Sequence, residues 1–211
     1  MLCVLLLAIR AASENGYRSL KSQGKQERSR QTIRTILKAA VQVLIDEGFE
    51  RATTNRIANR AGYSVGTLYQ YFKNKEDIYR EIIDQEILKL KELTSNLTIQ
   101  PSLIETLRAW VELLLASFEQ DPAQIQAMEA LLAGRFRERR KTAYDGIVAA
   151  TVRLLEAHRS EIVVKDLELA AGIIVAATAG LATSESARVL ESPELMQHIL
   201  RLHFAYLTLS A

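Results

Sequence analysis

The chain has 211 residues, 48 % of them apolar and a quarter charged. That suits one large domain or two smaller ones, and it argues against disorder throughout. Its one cysteine, Cys3, excludes an intrachain disulfide, so stability rests on packing, a usage that fits a reducing cytoplasm. The net charge of +2 hides an imbalance: residues 1–75 carry 13 Lys/Arg against 5 Asp/Glu (+8), and residues 76–211 carry 14 against 20 (−6). The basic end is suited to a polyanion, unless the bias is only a solvated surface.

Residues 1–9, MLCVLLLAI, are apolar but follow no basic region and are too short to span a bilayer. AIRAAS would serve as a cleavage site, which leaves export as the alternative to a cytoplasmic chain. Together with the polar residues that follow, 1–27 read as a flexible extension. No run alternates apolar and polar residues between turns, so the fold class is all-α.

In RQTIRTILKAAVQVLIDEGF, Ile33, Ile36, Leu37, Ala40, Val41 and Leu44 share one stripe of a first helix that Gly48 stops. TTNRIANRAG is a short second helix, capped by Thr53 or Thr54 and ended by Gly62. Ser64 caps a third, VGTLYQYF, and only GYS separates the two. Short helices joined by a three-residue glycine turn form a helix-turn-helix. Asn74 caps a fourth helix of some 20 residues, buried along Ile78, Ile82, Ile83, Ile87, Leu90 and Leu93. The three prolines precede or open later helices, and the spacing predicts these near 102–119, 122–137, 139–158, 166–190 and 193–209. The domains expected are 28–76 for the helix-turn-helix and 77–211 for a helical bundle.

The carrying residues TTNRIANRAGYSVGTLYQYFKNKEDI, preceded by DEGF, resemble the DNA-binding domain of the TetR family of bacterial transcriptional regulators. The resemblance covers 31–79, about a quarter of the chain. Val65 departs from it, standing where Lys or Pro is frequent, and the N-terminal extension is longer than usual. The resemblance implies a homodimer on a near-palindromic operator in double-stranded DNA, with a small-molecule effector in the C-terminal domain. It implies no cofactor or metal.

Gly66 falls in the first turn of the third helix, where a missing Cβ lets a phosphate approach free N–H groups. The alternative is close packing of that helix on the first. Thr54, Ser64, Tyr69, Tyr71 and Lys75 are candidates for backbone contacts, and Asn55, Val65, Thr67 and Gln70 for base reading; Tyr63, in the turn, is a candidate for either, or else covers the core. Tyr69 and Tyr71 lie about 200° apart on a helix, so Tyr69 is expected on DNA and Tyr71 at the flank of the groove or packed, although in the family both slots often reach phosphate. Lysine opposes the dipole at a helix start, so Lys75 points to a nearby anion. Arg28, Arg30 and Arg34 add charge to DNA or simply face solvent.

Trp110, Leu114, Phe118, Met128, Leu132, Phe136, Tyr144 and Val148 are candidates for the effector pocket, although each also reads as plain core. Gly172, Ala176, Gly180 and Thr183 form a small-residue ridge, which packs within its own chain or, with Leu195, Ile199, Leu202 and Tyr206, makes a two-fold interface. His198 and His203 are five residues apart, which does not make a metal pair on a helix. With no P-loop, nucleophile elbow or cysteine cluster, an enzyme is not expected. A non-specific architectural DNA binder is the alternative to a sequence-specific regulator.

Overall fold

The computed structural model describes residues 23–116, 122–183 and 192–209, and among these every regular element is helical. They are α1 (Gln23–Arg51), α2 (Thr54–Ala61), α3 (Val65–Tyr69), α4 (Lys75–Ser95), α5 (Leu103–Ala116), α6 (Pro122–Ala133), α7 (Arg137–Ala157), α8 (Leu167–Thr183) and α9 (Ser192–Thr208). The expected class is therefore observed, with some bounds shifted. The first helix is already formed at Gln23, within the segment expected to be flexible, and α3 closes at Tyr69, before the expected Phe72. Phe118 and residues 1–22 lie outside the described residues.

The chain divides into two compact units. The first holds the described residues up to Gln85 together with Pro122–Phe136. The second holds Glu86–Ala116 and the residues from Arg137 onward. α6 thus groups with the helix-turn-helix, although the sequence reading had placed it in the bundle.

In the first unit, Ile36, Ile57, Leu68, Ile78 and Ile83 are fully buried. The same shielding covers Tyr79, whose hydroxyl donates to the Ala40 carbonyl at 3.0 Å. Burial pushes that phenol far above its ordinary range. Gly48 takes φ 75° and kinks α1, and Gly62 takes φ 73° and closes α2; both angles favour glycine. Arg56 and Arg60 of α2 pair with Glu47 and Asp46, which ties α2 to the end of α1.

In the second unit, α7 packs on α8, and α5 packs on α8 and α9. Ser102 and Glu105 form the expected capping box at α5. Buried His158 links Thr106 (2.8 Å) to Glu161 (2.9 Å), and Glu161 also accepts the Leu103 N–H. The connections around α5 and α7 are thereby stapled together. His203, also buried, meets Thr178 Oγ1 at 2.8 Å. That hydroxyl donates to the Ile174 carbonyl, so it accepts from His203 Nε2–H. Burial lowers the His203 pKa to about 4.

Candidate nucleic-acid interface

The helix-turn-helix is fixed by its caps. Thr53 caps α2, accepting from the Arg56 N–H, and leaves Thr54 as the first helical residue. Ser64 caps α3, its Oγ accepting the Thr67 N–H at 3.0 Å and lying 2.9 Å from the Thr67 hydroxyl. Asn74 caps α4 through the Asp77 N–H at 2.8 Å. Leu68 and Phe72 point inward as an i, i+4 pair. Locking that face turns the remaining side chains of α3 outward.

Tyr69 is 53 % exposed, and its hydroxyl lies 3.1 Å from Thr54 Oγ1. Two expected backbone contacts, from different helices, are thus joined into one hydroxyl pair that can serve a single phosphate. Asn55, Val65, Gly66 and Gln70 are also exposed, while Tyr63 and Thr67 are half-buried. A Cβ built on Gly66 would meet only Ser64 Oγ, at 3.7 Å. Packing of α3 on α1 therefore does not require this glycine, and the open side is the solvent side.

Tyr71 takes the packed placement, and Lys75 turns to its own chain. The half-buried Tyr71 brings its hydroxyl within 3.0 Å of Ser29 Oγ, so it anchors α1. The Lys75 ammonium donates to the Phe49 and Glu50 carbonyls at 2.7 and 3.3 Å and sits 4.4 Å from the Phe49 ring centroid. The free carbonyls at the end of α1 are the negative partner that the sequence could not supply, so an external anion is not needed to explain a lysine there. Arg28, Arg30 and Arg34 are exposed.

The effector candidates are not gathered in one unit. Met128, Leu132 and Phe136 belong with the helix-turn-helix, whereas Trp110, Leu114, Tyr144 and Val148 belong to the other unit. Trp110 and Leu114 are fully buried there. The first unit carries a groove of about 550 Å³ between the end of α1 and α6, lined by Leu44, Phe49, Ala130, Leu131 and Arg135 among others; sequence reading missed it, since no local pattern pairs α1 with α6.

Of the interface candidates, Leu195 and Ile199 turn into their own chain, in a stripe with His203 and Leu207. The 100° step per residue leaves Leu202 outside, 50 % exposed. Gly180 is exposed, Ala176 and Tyr206 are half-buried, and the Thr183 side chain lies outside the described residues. Gly172 serves its own chain: Tyr144 closes on it, donating to its carbonyl at 3.4 Å. Leu169, Ile173 and Leu181 of α8 are exposed at 59, 41 and 37 %. Their spacing of four and eight residues sets them on one side of the helix.

Among the described residues, no helix is long and apolar enough to cross a membrane.

Residues 36–82 match the family model described as bacterial regulatory proteins, tetR family, and residues 102–207 match that of the tetracyclin repressor-like C-terminal domain. The fatty acid metabolism regulator protein of Bacillus subtilis is 41 % identical over 61 residues, 27 % of this chain and 31 % of that one. The A-factor receptor protein of Streptomyces griseus is 44 % identical over 62 residues, 29 % of this chain and 22 % of that one. The chain thus spans a third or less of the length of either curated relative. The fold likeness reaches further: the regulator FadR from Bacillus subtilis, solved with stearoyl-CoA, aligns over 82 % of this chain and 98 % of its own. The TM-score is 0.69 at 21 % identity.

Proposed function

Because the chain belongs to the tetR family of bacterial regulatory proteins, we propose that it is a sequence-specific DNA-binding transcriptional regulator and not an enzyme. The observation that carries this reading is the outward face of the helix-turn-helix. There the Thr54–Tyr69 hydroxyl pair stands beside an uncovered Gly66, with Asn55, Val65 and Gln70 exposed around it. The hydroxyls hold the phosphate backbone, the bare glycine lets it come close, and the amides read bases, Gln70 being matched to an adenine edge.

The working unit in this reading is a homodimer. Its surface is supported by the exposed apolar residues Leu169, Ile173 and Leu181 of α8 and Leu202 of α9. Two copies of α3 then enter successive major grooves about one helical turn apart, on a near-palindromic operator. A small-molecule effector bound in the C-terminal helices favours a conformer whose reading heads no longer match that spacing. It shifts the balance only by its difference in affinity for the two states.

Selection of bound duplexes from a random DNA library, with the purified protein, tests the proposal. An enriched inverted repeat supports a dimeric regulator. Binding without any motif, fading only as salt rises, would leave a non-specific architectural binder instead.

A further inference from the structure

The second unit satisfies nearly all the polar groups it buries. Thr94 donates to the Lys91 carbonyl and Thr151 to the Ile147 carbonyl. Thr106 and His158 are bonded to one another, and so are Thr178 and His203. Among the described residues, two buried side-chain atoms have no partner: Glu86 Oε2 and Trp110 Nε1.

They differ in kind. Glu86 is half satisfied, since its other oxygen holds Lys89 Nζ at 2.8 Å, and burial pushes its carboxyl up toward the neutral form. Trp110 has no such recourse. It is fully buried, and an indole N–H only donates and does not titrate in this range. Leaving it unpaired costs about 1–3 kcal/mol. The smaller ring of a phenylalanine would avoid that cost.

We propose that Trp110 Nε1 is the hydrogen-bond donor for the effector, and that the effector is a mainly apolar molecule carrying a neutral oxygen acceptor such as the carbonyl of a ketone, ester or lactone. This rests on the reading of the chain as an effector-released regulator. The apolar body follows from the helix that carries the indole: Leu107, Val111 and Leu114, within four residues of it, are buried, and so is Leu103 two turns away. The neutral head follows from charge. No lysine or arginine is among the buried side chains of the described residues, so a carboxylate at Nε1 would lose its hydration without a buried counter-charge. A water is a poor substitute, because it needs two to four polar partners. The nearest buried hydroxyl on α5, that of Thr106, is already engaged with Gln100 and His158.

The placement also links binding to shape. α5 packs on α8 and α9, and α8 and α9 carry the apolar surface assigned to the homodimer. Trp110 is fully buried, so a molecule reaching Nε1 has to displace packed neighbours of α5, and occupancy and rearrangement are one event.

Trp110 is the only tryptophan of the chain, so it gives one emission band and one indole N–H resonance. The test uses the full chain with medium-chain methyl ketones, methyl esters and lactones, each beside the alkane of equal length. The free protein should show the blue emission of an indole without a hydrogen bond. An oxygenated probe should shift that emission to the red and the indole N–H resonance downfield, and the matching alkane should do neither. Trp110→Phe keeps an aromatic ring but removes the N–H, and by calorimetry it should weaken the oxygenated probe about tenfold relative to the matching alkane, while leaving operator binding unchanged.

Three results would overturn the assignment: no member of the panel binding, equal binding of ketone and alkane, or free-protein emission already that of a hydrogen-bonded indole. Release of the operator by a probe that leaves the indole signals unmoved would refute Trp110 and spare the regulator reading. The spectroscopic arm needs no variant, so it stands even where Trp110→Phe fails to fold.

Discussion

Substituting Gly66→Ala should strengthen the fold and weaken DNA binding at once. Gly66 is helical and does not have positive φ, and its added Cβ meets only Ser64 Oγ at 3.7 Å, an ordinary contact. Alanine should therefore stabilise α3 by about 0.5–1 kcal/mol, the usual advantage over glycine in a helix. On DNA the same methyl stands between the first-turn N–H groups and the phosphate. Losing one charge-assisted hydrogen bond costs about 1.5–3 kcal/mol, roughly 10- to 100-fold in affinity. Urea unfolding gives the first quantity, and titration of a selected operator at fixed salt gives the second. A variant that unfolds more easily would mean that the glycine is there for packing. A more stable variant with unchanged affinity would mean that no DNA backbone comes near it, and the interface would have to be redrawn.

Tyr69→Phe and Thr54→Val should each cost about 1 kcal/mol of affinity on every operator sequence alike, and together less than the sum, because the two hydroxyls are bonded to each other; a double-mutant cycle measures the shortfall. Lys75→Met should lower the urea midpoint by about 1–2 kcal/mol of stability and leave the salt slope of operator binding unchanged, whereas a phosphate contact would reduce that slope by about one. His203 has a folded pKa of about 4 against an ordinary 6.5, so its contribution is complete above about pH 6.5 and is lost as pH falls toward 4. His203→Gln, which keeps a donor for Thr178, should remove about 2 kcal/mol of the stability loss between pH 7.5 and pH 5; equal acid sensitivity in both proteins would refute the assignment.

What the sequence made legible is what is written locally. Ser64, Asn74, Ser102 with Glu105, and Gly62 each act within four residues of themselves, and each caps or closes the helix end expected of it, whereas Gly48, expected to stop the first helix, kinks it and the helix runs on to Arg51. What it left hidden is long-range. Lys75 reads as an anion ligand because its true partners, the Phe49 and Glu50 carbonyls, lie 26 and 25 residues away in the chain. Leu195 and Ile199 were assigned to the outside because helical periodicity gives a stripe but not the direction it faces. The same gap hid the grouping of α6 with the helix-turn-helix and the missing partner of Trp110, since neither orphan status nor docking partner has a spacing to read.

The pairing of Thr54 with Tyr69 has a consequence for how such a head can change over generations. In the proposed reading, holding falls to two hydroxyls and a bare backbone, and reading falls to Asn55, Val65 and Gln70, which are exposed beside the hydroxyl pair but not part of it. A substitution at a reading position therefore alters which operator is preferred while the holding groups keep the molecule on DNA. New targets can be reached through intermediates that still bind, and the regulatory wiring can drift without passing through a silent protein.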